Sequence, residues 1–136
     1  MARGKWNRGK DVRAWAALTA LILLMSSCAY ADIPEDKAIR AIIGEASGEG
    51  YDGMLAVAVG LRNRNSLKGV YGIAAPHVDN EPKWVFDLAE KAWEESSWNK
   101  IHSGTHWESI KFKEPYWAKS MIKVYQYKHH IFYRKE

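Results

Sequence analysis

The residues best placed to do chemistry are the two glutamates of Ile42-Ile43-Gly44-Glu45-Ala46-Ser47-Gly48-Glu49-Gly50. Glu45 closes an apolar stretch and is flanked by residues with little or no side chain. A carboxyl group withdrawn from water resists ionisation and keeps a proton to give near neutrality, as a general acid must. Gly44 and Ala46 leave room beside it for a bulky substrate. Glu45 and Glu49 are four residues apart, so both point to one side if the helix continues that far. The plainer readings are a solvated Glu45 near a helix end, and a Glu49 that is a loop carboxylate or the partner of Arg62 or Arg64.

Aromatic residues are the second signal. Beyond residue 31 the chain carries Trp84, Trp93, Trp98, Trp107 and Trp117, with tyrosines from Tyr51 to Tyr133. Sugar rings bind by laying their apolar C–H faces on aromatic planes while polar neighbours read the hydroxyls. Trp107, Tyr116 and Trp117 stand near Thr105, His106, Glu108 and Lys119, which is that mixture. Trp84 and Trp93, nine apart on a helix, read as core. His129-His130 is a pair, but neighbours on a strand point to opposite faces. His77 and His102 fall in loops without ligand spacing, so no metal site is expected. No cofactor is expected either, because the nucleophile-elbow, P-loop, dinucleotide and HExxH patterns are absent.

These residues need elements to hold them. Asp32-Ile33-Pro34-Glu35 has a capping residue, a proline suited to an early helical position and a glutamate three after the cap. Ala38, Ile39, Ile42, Ile43 and Ala46 recur at helical spacing, which predicts a helix over 35–46 ended by Ser47-Gly48-Glu49-Gly50. A second helix fits 52–64, and its small residues Gly53, Ala56, Ala58 and Gly60 suit close packing on another helix. Residues 65–80 have no clean period and read as loop. Asn80-Glu81-Pro82 opens a third helix, with Val85, Leu88, Ala89 and Ala92 on one face, that fades near Ser96-Ser97. The pattern then changes: 105–108 extended, a short helical turn over 116–121, an alternating β-rich strand over 122–127, a turn over 128–130 and a returning strand over 131–133. Helices first and a small antiparallel sheet last make an α+β domain.

A chain of 136 residues suits one domain. Its net charge of +4 would suggest a polyanion partner, but that charge lies in residues 1–31, where Arg3, Lys5, Arg8, Lys10 and Arg13 outweigh Asp11. Residues 32–136 hold fifteen Lys/Arg and fifteen Asp/Glu, so no nucleic acid partner is expected there. Residues 1–31 read as an export signal: a basic start, the apolar run 14–25 (AWAALTALILLM) and then small residues. Twelve helical residues rise about 18 Å against a hydrocarbon core of roughly 30 Å, too short for an ordinary span. Ala29-Tyr30-Ala31 offers a cleavage site that leaves a catalytic domain over 32–136. Leu24-Met25-Ser26-Ser27-Cys28 resembles a lipobox, with Met25 unusual in it, and would make Cys28 the acylated residue. The expected location is periplasmic, membrane-anchored or extracellular, with membrane contact only through the signal or a lipid anchor. Cys28 is the only cysteine, so the domain rests on its core without a disulfide. A monomer is expected.

Five blocks in order resemble the spore-cortex-lytic, or cell wall hydrolase, family, a lysozyme-like group that acts on peptidoglycan. They are residues 41–50 (AIIGEASGEG), 53–64 (GMLAVAVGLRNR), 104–108 (GTHWE), 115–119 (PYWAK) and 130–134 (HIFYR). The resemblance implies a lysozyme-like fold with peptidoglycan glycan strands as partner. It implies Glu45 as the catalytic glutamate and Glu49 as a supporting group on the substrate side. It places Thr105, His106 and Trp107 along the cleft, with Tyr116, Trp117 and His130 as further substrate-binding residues. The family often carries Asn where His129 stands, so that turn is expected to differ here.

On that resemblance, Glu45 protonates the oxygen of the MurNAc–GlcNAc bond as it leaves. The resulting carboxylate then takes the proton of the incoming nucleophile. If the nucleophile is the MurNAc 6-hydroxyl, the product is a 1,6-anhydro sugar and the enzyme is a lytic transglycosylase. If it is water, the enzyme is a muramidase. Two-carboxylate glycosidases set their pair about 5 Å or roughly 6.5–9.5 Å apart. Only Glu49 and Asp52 are near Glu45 in sequence, which favours the single-glutamate transglycosylase. The other class of function is a non-catalytic wall-binding lipoprotein using the same cleft, which needs no acid at position 45.

Overall fold

Three helices come first, α1 (Glu35–Ala46), α2 (Gly50–Arg64) and α3 (Lys83–Glu95), and three strands follow, β1 (His106–Ser109), β2 (Ile122–Tyr127) and β3 (His130–Arg134). They belong to a computed structural model that describes residues 32–136. The stretch expected as an export signal, with its two candidate processing sites and Cys28, lies outside the described residues. The arrangement is α+β, helices and then a small antiparallel sheet.

Helix α2 is central because it has no polar side over most of its length. Residues 53–61 are all buried, and a helix that is apolar all round belongs inside. Helices α1 and α3 are amphipathic and pack on α2 and on each other. Their buried residues are Ala38, Ala41, Ile42, Ile43 and Ala46 on α1, and Val85, Ala89, Ala92 and Trp93 on α3. Trp84 was expected in the core with Trp93, but it is 62% exposed. At about 100° per residue, nine positions bring a side chain half a turn round, so one of the pair must face water.

The helix starts differ from the expected ones. Asp32 and Asn80 make no cap; the N-cap positions fall to Pro34 and Pro82, without side-chain hydrogen bonds. Proline's fixed φ is already close to helical, and Glu35 and Asp36 favour the positive end of the α1 dipole. Between α1 and α2 the chain makes one 3-10 turn, Ser47–Glu49, and then a corner at Gly50 with φ +77°. That corner starts α2 two residues before the apolar pattern does. The stretch expected as loop over 65–80 holds two further 3-10 turns, Tyr71–Ala74 and Pro76–Asn80.

The strand order is β1-β3-β2, antiparallel throughout. Central β3 begins at His130, one residue earlier than expected. It sends Phe132 into the core, fully buried. Trp107 and Tyr125 lie across from Phe132 on the two neighbouring strands, with ring centroids 6.0 and 5.9 Å away. The His102 ring packs against it, tilted, at 4.4 Å. That ring donates from Nε2 to the Ala56 carbonyl on α2 at 2.8 Å and accepts from the Gly104 N–H at Nδ1. Asn63 holds the carbonyls of His102 and Gly104, both at 3.0 Å. These bonds fix the path into β1, and hence the position of Trp107. Among the described residues no helix is long and apolar enough to cross a membrane.

Phe132 joins the sheet to the helices, so Phe132→Ala is expected to cost about 3–5 kcal/mol of folding stability. Urea unfolding followed by far-UV circular dichroism will read this as a lower midpoint.

Candidate active site

A cleft of about 630 Å³ is bordered by the end of α1, residues 69–71, β1 with the loop after it, and the β2–β3 turn. Both Glu45 and Glu49 line it. Helix α1 ends at Ala46, but the tight 3-10 turn that follows keeps Glu49 on the same side.

Glu45 is gripped through both oxygens. The Gly72 N–H donates to Oε1 at 2.8 Å, and the Trp107 Nε1–H donates to Oε2 at 3.2 Å. The two donors come from segments 35 residues apart in sequence. Each oxygen keeps a second lone pair, so the carboxyl is fixed in direction yet able to bind another group.

The small residues near Glu45 have a different purpose from the expected one. A Cβ on Gly44 would lie 1.8 Å from the Gly72 carbonyl oxygen, and one on Gly72 would lie 2.7 Å from Glu45 Oε1. The absent side chains let the Tyr71–Ala74 turn approach the glutamate; they do not make room for substrate. Ala46 is buried in the core. On α2, Gly53 and Gly60 serve the site more than helix packing. A Cβ on Gly53 would meet Glu49 Cβ at 2.3 Å, and one on Gly60 would meet the Trp107 ring at 3.0 Å.

Glu49 pairs with neither Arg62 nor Arg64. Its Oε1 accepts from His129 Nδ1 at 2.9 Å, and its backbone carbonyl accepts from Lys128 Nζ at 2.9 Å. Oε2 is buried with no hydrogen-bond partner among the described residues. Burial pushes the Glu49 carboxyl up, but the His129 hydrogen bond and the charges of His129 and His130 outweigh it, and the carboxyl ends below its ordinary value. Arg62 instead lies over the Trp93 ring at 3.7 Å and donates to Ser96 Oγ at 2.6 Å.

Of the other residues singled out in the sequence, His106, Trp107, Trp117 and His130 line the cleft. Trp117 stacks near His106 at 5.5 Å and meets Tyr133 edge-on at 5.4 Å. Burial lowers the pKa of both His106 and His130, which favours their neutral rings. Two expected residues are not part of the lining. Thr105 sits behind the wall, its hydroxyl 2.9 Å from His106 Nδ1. Tyr116 is 86% exposed and turned away, because it opens the 3-10 turn Tyr116–Ser120 in which Trp117 takes the inward position. His129 and His130 do not diverge across a strand as expected. His129 is in the turn before β3 begins, and both border the cleft.

Glu108, noted in the sequence only as a polar neighbour of the aromatics, is in the lining too, and Arg64, Tyr71 and Phe112 are among the lining residues that carried no sequence signal for this role. Tyr71 and Phe112 are 85% and 69% exposed, which places aromatic planes at the rim. The Arg64 guanidinium lies 6.0 Å over the Trp107 ring and donates to the Lys68 carbonyl. Among the described residues, no group of three or more His, Cys, Asp or Glu side chains is arranged to hold a metal ion. The cleft therefore offers the carboxylates of Glu45, Glu49 and Glu108, three imidazoles and flat apolar rings, a set suited to moving protons beside a sugar. No family model matches the chain, and no curated protein or solved structure matches it.

The depressed Glu49 carboxyl stabilises the folded state when ionised. That contribution is complete above its ordinary value of 4.5 and is lost as pH falls below it through the folded-state value. Thermal unfolding across this range is expected to show a destabilisation of the wild type on acidification that is smaller in Glu49→Gln.

Proposed function

We propose that this protein cleaves the glycan strands of peptidoglycan at the MurNAc–GlcNAc bond, with Glu45 as proton donor. The observation that carries the reading is convergence. Glu45, Glu49, His106, Trp107, Trp117 and His130, singled out in four separate blocks of sequence, line one cleft around a glutamate gripped at both oxygens. The likeness to a lysozyme-like fold is part of the same proposal and is supported by the helical body with a small sheet on one side of the cleft.

The chemistry follows from the lining. A glycan strand lies along the cleft with its rings against Trp107 and Trp117 and against the rim planes Tyr71 and Phe112. Glu45 gives its proton to the glycosidic oxygen as the C1–O bond breaks. Its direction is set beforehand by Gly72 and Trp107, so little orientation is lost on the way to the transition state. The MurNAc 6-hydroxyl then closes on C1 and leaves a 1,6-anhydro end, the transglycosylase outcome.

Glu45→Gln keeps an acceptor for Gly72 but has no proton of the right acidity to give. The full-length variant is expected to stay folded and to lose roughly 10²–10⁴-fold in release of soluble muropeptides from purified peptidoglycan. Retained release in this variant would end the proposal. Mass spectrometry of the wild-type products identifies the nucleophile: anhydro ends mean the 6-hydroxyl, and reducing MurNAc ends mean water. Trp107→Phe keeps the ring and removes one donor to Glu45. It is expected to lower kcat by about tenfold, the size of one ordinary hydrogen bond, and to raise KM modestly because the smaller ring offers the glycan less stacking surface.

A further inference from the structure

We propose that His129, held by Glu49, is a second catalytic residue of this cleft, whose Nε2 takes the proton of the oxygen nucleophile attacking the sugar's C1. The inference rests on the glycan-cleaving reading and divides its proton transfers between two groups.

Hydrogen bonding fixes the ring first. His129 Nδ1 is 2.9 Å from Glu49 Oε1. A carboxylate can only accept, so Nδ1 carries the hydrogen and the neutral ring keeps its lone pair at Nε2. No described residue bonds to Nε2. The side chain is 47% exposed and borders the same cleft as Glu45.

Glu49 supplies the second requirement. Its side chain is only 11% exposed, so its charge is poorly screened and acts on the ring beside it. An imidazolium formed at His129 is stabilised there, as in carboxylate–imidazole pairs that serve as general bases elsewhere. The other charged or titratable groups near this corner are Lys128 and His130 of the same hairpin, with Glu45 and Glu108, whose charges act on His130; Lys128 is occupied with the Glu49 carbonyl. Glu45 is less suited to the task, because the N–H groups of Gly72 and Trp107 hold it in one direction and that direction must serve the leaving oxygen.

The protons balance. Glu45 gives its proton to the glycosidic oxygen, which leaves with the electron pair of the C1–O bond. The nucleophile's oxygen forms the new bond to C1, and its proton goes to His129 Nε2. The imidazolium then returns a proton through solvent to the Glu45 carboxylate, restoring both groups.

The test uses the full chain on purified peptidoglycan, with kcat and KM measured from acid to alkaline pH and circular dichroism checking the fold. His129→Asn keeps an N–H donor for Glu49 but has no base. It is expected to lower kcat roughly 10²–10⁴-fold with KM little changed, and to alter the pH profile of kcat. Imidazole added to His129→Gly is expected to restore part of the lost rate. An active wild type beside a His129→Asn variant with unchanged kcat and pH profile overturns the proposal and leaves the glycan-cleaving reading standing. A folded but slow His129→Gly that imidazole fails to rescue overturns it too, since a merely structural histidine behaves that way. A wild type that releases no more product than Glu45→Gln removes the underlying reading, and this proposal with it.

Discussion

Everything at the cleft depends on the close approach of two glycines. Gly44 on α1 and Gly72 in the Tyr71–Ala74 turn meet where a single methyl group would lie 1.8 Å from a carbonyl oxygen. No side chain larger than hydrogen fits without moving the backbone. The approach is what puts the Gly72 N–H within 2.8 Å of Glu45. An ordinary hydrogen bond contributes about 0.5–1.5 kcal/mol, so the contact both seats the turn and aims the glutamate. Residues 65–80 have little apolar periodicity of their own, and this contact is a large part of what orders them.

The second carboxylate is held by a different part of the chain. Glu49 reaches the β2–β3 hairpin, where His129 and Lys128 grip its side chain and its backbone. The cleft is therefore tied at both ends, by helix to turn at Glu45 and by helix to sheet at Glu49. Trp107 spans the two. It sits against Gly60 of α2, faces Phe132 across the sheet and donates to Glu45. Core packing and site geometry are in this way one constraint, and a sheet displaced on the helices would misplace both glutamates.

Much of this was legible in the residues. The helical periodicity of 38–46, the alternation of 122–127 and the position of Glu45 at a helix end all have local causes, and local causes are what a sequence displays. What was misread was non-local. Gly44 looked like space for a substrate because nothing near it in sequence marks Gly72, 28 residues on, as its neighbour. Gly53 and Gly60 looked like helix-packing residues because their true neighbours, Glu49 across a corner and Trp107 from β1, are set by tertiary contacts. Trp84 looked like core because its type outweighed its angular position on α3. His129 was visible as half of a histidine pair and as a departure in the resemblance, and its meaning needed the hairpin to bring it to Glu49.

The hairpin turn itself shows how that meeting is enforced. Lys128 adopts φ +44°, a left-handed conformation that a non-glycine residue adopts at about 1–2 kcal/mol. Such a conformation persists only where the surroundings over-determine it. Here the β2–β3 ladder closes on one side, with Tyr127 paired to His130. On the other, the Lys128 ammonium is bonded to the Glu49 carbonyl. A relaxed turn with glycine at 128 would remove both the strain and the lysine that counters it, and would free the next residue to swing. The strained lysine thus confines His129 to one orientation against a buried carboxylate. That confinement holds the His129–Glu49 hydrogen bond, which steadies the fold while the carboxyl is ionised, and leaves the half-exposed ring with its other nitrogen unbonded at the border of the cleft.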